Sequence, residues 1–217
     1  MRAWATARIC GGGRRAGAGG GPGPGSAPYL ELAAANRLRV AFTADTHVHA
    51  DFVSGGRELA GLGARLLAPA GSGLIYQHEE LRDGQELDLG GLTLRALATP
   101  GHLAYLLADG AAPVAVFTGG ALIAGGVART NLADPARAEA WTRAACRSAR
   151  SLPDGLPKDL PAHPTHGSGS FCSAGDPGEH TTTIGREKTA SPLLAETGED
   201  ALTLVLLARL GGVVAGC

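Results

Sequence analysis

Asp45-Thr46-His47-Val48-His49-Ala50-Asp51-Phe52 is the stretch on which the reading of this sequence turns. Just ahead of it, Leu38-Arg39-Val40-Ala41-Phe42 alternates in character and predicts a strand. Just behind it, Ser54 is placed to cap a short helix through Arg57-Glu58-Leu59. The histidines therefore sit in a polar turn leaving a strand. In extended or turning backbone His-x-His puts both imidazoles on one side, because side chains alternate with period two. Two neutral imidazoles on one face form a pair of zinc or iron ligands. Asp51 adds a hard oxygen, as a ligand or as an acceptor that orients one.

Further along, Thr99-Pro100-Gly101-His102 brings a third imidazole to another strand end. A fourth, His166, lies in His163-Pro164-Thr165-His166-Gly167-Ser168-Gly169-Ser170. A lone histidine is more often a solvated or core residue, and His78 and His180 are read that way. The histidine pair joined to a later Pro-Gly-His is read as a metal site: His47, His49 and His102 as ligands, with Asp51 and His166 in the same cleft.

Around this nucleus the pattern is mixed α/β. Pro28 opens the helical run Tyr29–Ala35, and Ala64–Leu67 reads as a short strand. Leu87-Asp88-Leu89, the turn Gly90-Gly91 and Leu92–Leu97 predict a hairpin. Leu103–Leu107 and Val114–Phe117 predict two more strands, Ala136–Arg150 a helix, and Leu202–Leu210 a last helix. Residues 164–192, rich in Gly, Ser, Thr and Pro, read as one long structured loop. Helices alternating with short strands and central hairpins argue for a layered α/β (α+β) domain.

Composition sets the outer bounds. With 217 residues the chain suits one domain with a substantial core. Residues 1–27 are rich in Gly, Ala and Arg, lack acids, and end in Gly-Pro-Gly-Pro-Gly, so they are expected to be a disordered tail ahead of a domain spanning 28–217. Those glycines forbid the amphipathic helix of a transit peptide, and no secretory apolar segment is present. A formal charge of −1 gives no reason to expect nucleic acid or an anionic membrane as partner. The longest apolar runs, such as Leu202–Ala208, are too short to span a bilayer. Cys10, Cys146, Cys172 and Cys217 form no close pair, which excludes a disulfide framework and makes a reducing cytoplasm the expectation. The glycines of Gly119-Gly120 and Gly125-Gly126 lack the Lys-Ser/Thr of a phosphate loop.

His47-Val48-His49-Ala50-Asp51 resembles the first motif of the metallo-β-lactamase superfamily, His-x-His-x-Asp-His. Thr99-Pro100-Gly101-His102, Phe117-Thr118-Gly119-Gly120-Ala121-Leu122 and Thr165-His166-Gly167 are similar to its later motifs, in the same order. Arg129-Thr130-Asn131, Gly167–Cys172 and Thr181–Glu187 look like the persulfide dioxygenase branch, including its rhodanese-fused members. The resemblance covers roughly residues 28–195 and implies an αββα sandwich. It also implies one divalent metal ion, zinc or iron(II), a small-molecule thiol, persulfide or thioester substrate, and oxidation of glutathione persulfide to sulfite.

This sequence departs from the family's pattern at two points. Phe52 stands where the motif carries a histidine, and Gly120 where it carries an aspartate. The segment after His102 is also shorter than in relatives. By resemblance an iron dioxygenase would take its ligands from His47, His102 and position 120, so the carboxylate is missing unless Asp51 supplies it. His47, His49 and His102 with water would instead make a zinc site, with Asp51 as catalytic residue, and a thioesterase-like hydrolase is the alternative. A metal-poor, non-catalytic pseudoenzyme is the third. Arg129 is a candidate for binding an anionic substrate. Cys172 is expected to be an inert thiol, Arg186 to anchor the long loop, and sulfur transfer by this polypeptide alone is not expected. The family's first strands fall in the glycine-rich tail and are expected to be missing. The sheet edge so left open invites homo-oligomerisation.

Overall fold

The computed structural model describes residues 8–12, 15–19, 25–48, 53–99, 102–131, 135–165, 182–190 and 198–211. The strands are β1 (Arg8–Gly12), β2 (Arg15–Gly19), β3 (Val40–Ala44), β4 (Arg65–Pro69), β5 (Glu79–Leu81), β6 (Glu86–Asp88), β7 (Thr93–Thr99), β8 (His102–Asp109), β9 (Ala112–Gly119), β10 (Pro161–Pro164) and β11 (Thr182–Thr183). The helices are α1 (Ala27–Ala35), α2 (Gly56–Gly61), α3 (Ala138–Ser151), α4 (Ile184–Ala190) and α5 (Glu199–Gly211), with a 3₁₀ turn at Pro135–Arg137 before α3.

These strands form two sheets, ordered β2-β1-β3-β4-β5 and β11-β10-β9-β8-β7-β6. Alternation along β8 shows why they stack. Leu103, Tyr105 and Leu107 face the first sheet, packing with Ala44, Leu67 and Leu81 there and with Leu94 and Phe117 of their own sheet. Ala104 points the opposite way, into a second cluster with Val116, Leu122, Leu160, Ala162 and Ile184. Such two-sided burial is what an apolar strand with helices behind it requires. α3 and α5 close the outer layer through Val127, Cys146, Ala149, Leu202 and Leu206. On the other side α2 packs over β3 and β4, with Leu59 buried. The layers read helix, sheet, sheet, helix, as the sequence implied. Among the described residues no helix is long and apolar enough to cross a membrane.

Two sequence expectations are corrected. Within the stretch expected to be a disordered tail, residues 8–12 and 15–19 form strands: β1 and β2 pair antiparallel with each other, and β1 pairs antiparallel with β3. Parallel pairing with β4 satisfies only one side of β3. Its other row of N–H and C=O groups needs a partner, and glycine-rich backbone supplies one as well as any. Nor is the 164–192 segment all loop. Thr182-Thr183 adds an edge strand to β10 and α4 follows directly. In α4 the buried Glu187 carboxylate accepts from Gly125 N–H at 2.9 Å and from the Thr182 hydroxyl at 2.7 Å. Elsewhere the expected elements start or stop within three residues of expectation. Ser54 lies just outside α2, where its Oγ accepts from Gly56 N–H at 3.1 Å.

Candidate metal centre

Four strand ends meet at one edge of the sandwich. β3 runs out into Asp45-Thr46-His47, β8 begins at His102, β9 ends at Gly119, and β10 leads into Thr165. Hydrogen bonds tie these ends together, within and across the two sheets. Leu103 N–H donates to Thr46 C=O at 2.7 Å, and Thr165 N–H donates to Gly119 C=O at 3.1 Å. The fully buried Tyr105 sends its hydroxyl to Asp45 C=O at 2.9 Å. Burial, reinforced by the Asp45 charge, pushes the Tyr105 phenol far above its ordinary pKa, so it remains a donor.

This scaffold brings His47 and His102 together, with ring centroids 4.5 Å apart and planes tilted by 41°. The Thr46 hydroxyl lies 2.9 Å from His47 Nδ1 and 2.9 Å from the Thr165 hydroxyl. With Nδ1 protonated, the ring donates to Thr46 and keeps its lone pair on Nε2, the arrangement that ligand histidines adopt. Neither threonine was singled out from the sequence. The repeat of Thr-His at Thr46-His47 and Thr165-His166 is the one trace of them in the sequence, and it carries no statement about their hydroxyls.

The space around Gly120 is filled. A Cβ there would lie 2.6 Å from Ala128 Cβ and 2.8 Å from His102 Nε2. Ala128 N–H donates to Gly120 C=O at 2.8 Å. Arg129 follows Ala128, is half-buried, and donates from Nε to Asn131 Oδ1 at 3.3 Å. A cavity of about 240 Å³ opens beside His47, walled by Val48, Val53, Leu74 and Tyr76 with Asp45 and Ser54 at its polar side. The Ser54 hydroxyl donates to the buried Asp45 carboxylate at 2.8 Å. Burial, aided by Asp45 and opposed by Arg57, raises the Tyr76 phenol above its ordinary value.

His49, Asp51 and His166 lie outside the described residues, as do Phe52, Cys172 and His180. Among the described residues no group of three His, Cys, Asp or Glu side chains is close enough to hold a metal ion. Two imidazoles fit such an ion, whereas Gly120 does not. His78 bonds locally, its Nδ1 2.8 Å from Tyr76 C=O. Cys146 is a buried core thiol whose pKa is raised by burial, in keeping with its reading as a small apolar residue.

No family model matches this sequence, and no curated protein does. Solved structures do. A metallo-beta-lactamase from Staphylococcus aureus is 27% identical, with a TM-score of 0.75, over 86% of this chain and 58% of its own. The chain thus spans less than two thirds of that protein. ETHE1 from Myxococcus xanthus is 26% identical, with a TM-score of 0.68, over 83% of this chain and 74% of its own. TTHA1623, solved in a di-iron-bound form, is 25% identical over 80% of this chain and 87% of its own, with a TM-score of 0.56.

Proposed function

Since this chain belongs to the metallo-β-lactamase superfamily, we propose that it is a metal-dependent enzyme oxidising a small thiol persulfide to sulfite. The observation that carries this reading is the His47–His102 pair, 4.5 Å apart where β3 and β8 meet. The likeness to ETHE1 supports it, as do the Arg129-Thr130-Asn131 and Thr181–Glu187 motifs. An iron(II) centre of two imidazoles and one carboxylate leaves positions open for oxygen and substrate. His47 and His102 are the imidazoles in this reading. Asp51 is assigned the carboxylate, because Gly120 has none and no room for one. Arg129 is proposed to pair with the substrate's carboxylate, in a site for small thiol compounds rather than nucleic acid or membrane.

The filled space at Gly120 favours a second reading. A centre restricted to His47, His49 and His102 suits zinc, which lowers the pKa of bound water to about 7 and supports hydrolysis of a thioester. Oxygen uptake and sulfite release with glutathione persulfide, beside hydrolysis of a glutathione thioester, separate the two. The first reading expects oxygen consumption that Asp51→Asn abolishes together with bound iron. Thioester hydrolysis with zinc and no oxygen uptake would replace it by the second.

A further inference from the structure

We infer that Gly120 acts through the side chain it lacks, forming with Ala128 the seat that positions the His102 imidazole. Gly120 is not in the left-handed region, so its backbone makes no demand for glycine. The demand is steric. A Cβ would approach Ala128 Cβ to 2.6 Å and His102 Nε2 to 2.8 Å, where ordinary contact begins near 3.4 Å.

Both neighbours are tied at their backbones. The bridge Ile123↔Gly126 turns the chain back so that Ala128 lies over Gly120. Gly125, at that turn, is held by the buried Glu187, and Ala128 itself by its N–H bond to Gly120 C=O. His102 is fixed at its backbone by pairing with Thr99, and the next N–H is bonded to Thr46. Its ring lies between the His47 ring and Gly120. An added methyl group must therefore push the imidazole aside by about half an ångström, and it presses on Ala128 as well. Metal–ligand distances tolerate only about 0.2 Å.

Restoring aspartate at position 120 therefore does not rebuild a carboxylate ligand in this chain; it displaces an imidazole. The consequence for metal binding rests on the metal-site reading above, whereas the seat itself does not. Zinc alone, titrated against a chelating dye, measures the former. Gly120→Ala is expected to weaken zinc binding about 10- to 100-fold. Gly120→Asp is expected to weaken it too, and Ala128→Gly to recover part of the loss.

The His102 ring resonances of metal-free protein, and urea midpoints, measure the seat. Gly120→Ala is expected to move those resonances. It is also expected to lower the midpoint more in the parent chain than in a His102→Ala background, a comparison that Gly120→Ala/Ala128→Gly supports if the single variant folds poorly. Unmoved resonances with equal midpoint losses in both backgrounds would overturn the seat. Tighter zinc binding by Gly120→Asp would overturn its consequence. Failure of the parent chain to bind zinc or iron would count against the metal reading while the resonances still decided the seat.

Discussion

Replacing Thr46 by valine keeps the branched shape of a fully buried side chain and deletes the hydroxyl between His47 and Thr165. Two hydrogen bonds of 2.9 Å disappear, each contributing about 1 kcal/mol net. The Thr165 hydroxyl, itself fully buried, is left without that partner. The sum is a destabilisation of about 2 kcal/mol, which at roughly 2–4 °C per kcal/mol for a domain of this size lowers Tm by about 4–8 °C. Loss of the bond to Nδ1 also removes the partner that sets the His47 tautomer, so zinc affinity should fall about 10- to 100-fold. Urea unfolding and zinc titration of the same preparations measure both effects, with Thr165→Val as the control that removes one hydroxyl bond without touching His47 directly. A Thr46→Val protein that lost stability but bound zinc as tightly as the parent would refute the orienting role. One that lost neither would refute the hydrogen-bond chain.

Gly119 has φ +60 with Thr46 Cβ 3.0 Å from where its own Cβ would be, so Gly119→Ala should cost about 1–2 kcal/mol in urea unfolding from backbone strain alone. Tyr105→Phe, which strands a buried bond to Asp45 C=O, should cost about 1–1.5 kcal/mol by the same assay. Burial holds the pKa of His163 below its ordinary 6.5. The unfolded chain therefore takes up that proton first, and His163 contributes stability that is present above pH 6.5 and lost as pH falls below it. His163→Gln should flatten the urea midpoint against pH in that acidic window, and an unchanged profile would show that other groups govern it.

The strands that could be read in advance are those whose side chains face two different layers. Leu103–Leu107 is a continuous apolar run because both of its faces are buried, the hairpin through Leu97 alternates because one face packs on the first sheet, and both patterns survive in the sequence. β10 escaped notice because two of its four residues are prolines, which usually argue against a central strand. β1 and β2 escaped because Gly and Ala leave no side-chain pattern; what orders them is the open edge of β3, a fact of tertiary context. At the site, His47 and His102 were legible as paired donors at strand ends. Thr46 and Thr165 were not, since their hydroxyls matter only once β3 and β10 end side by side. Gly120 was legible as a missing carboxylate, but the filling of its place by His102 depends on the turn that returns Ala128.

The measurement that bears most directly on the account is the metal content of purified, folded protein from cells grown with both iron and zinc, beside His47→Ala and His102→Ala. A metal centre built on His47 and His102 gives about one iron or zinc ion per chain, lost in both variants. Metal retained in either variant, or a folded parent chain carrying neither, would contradict it.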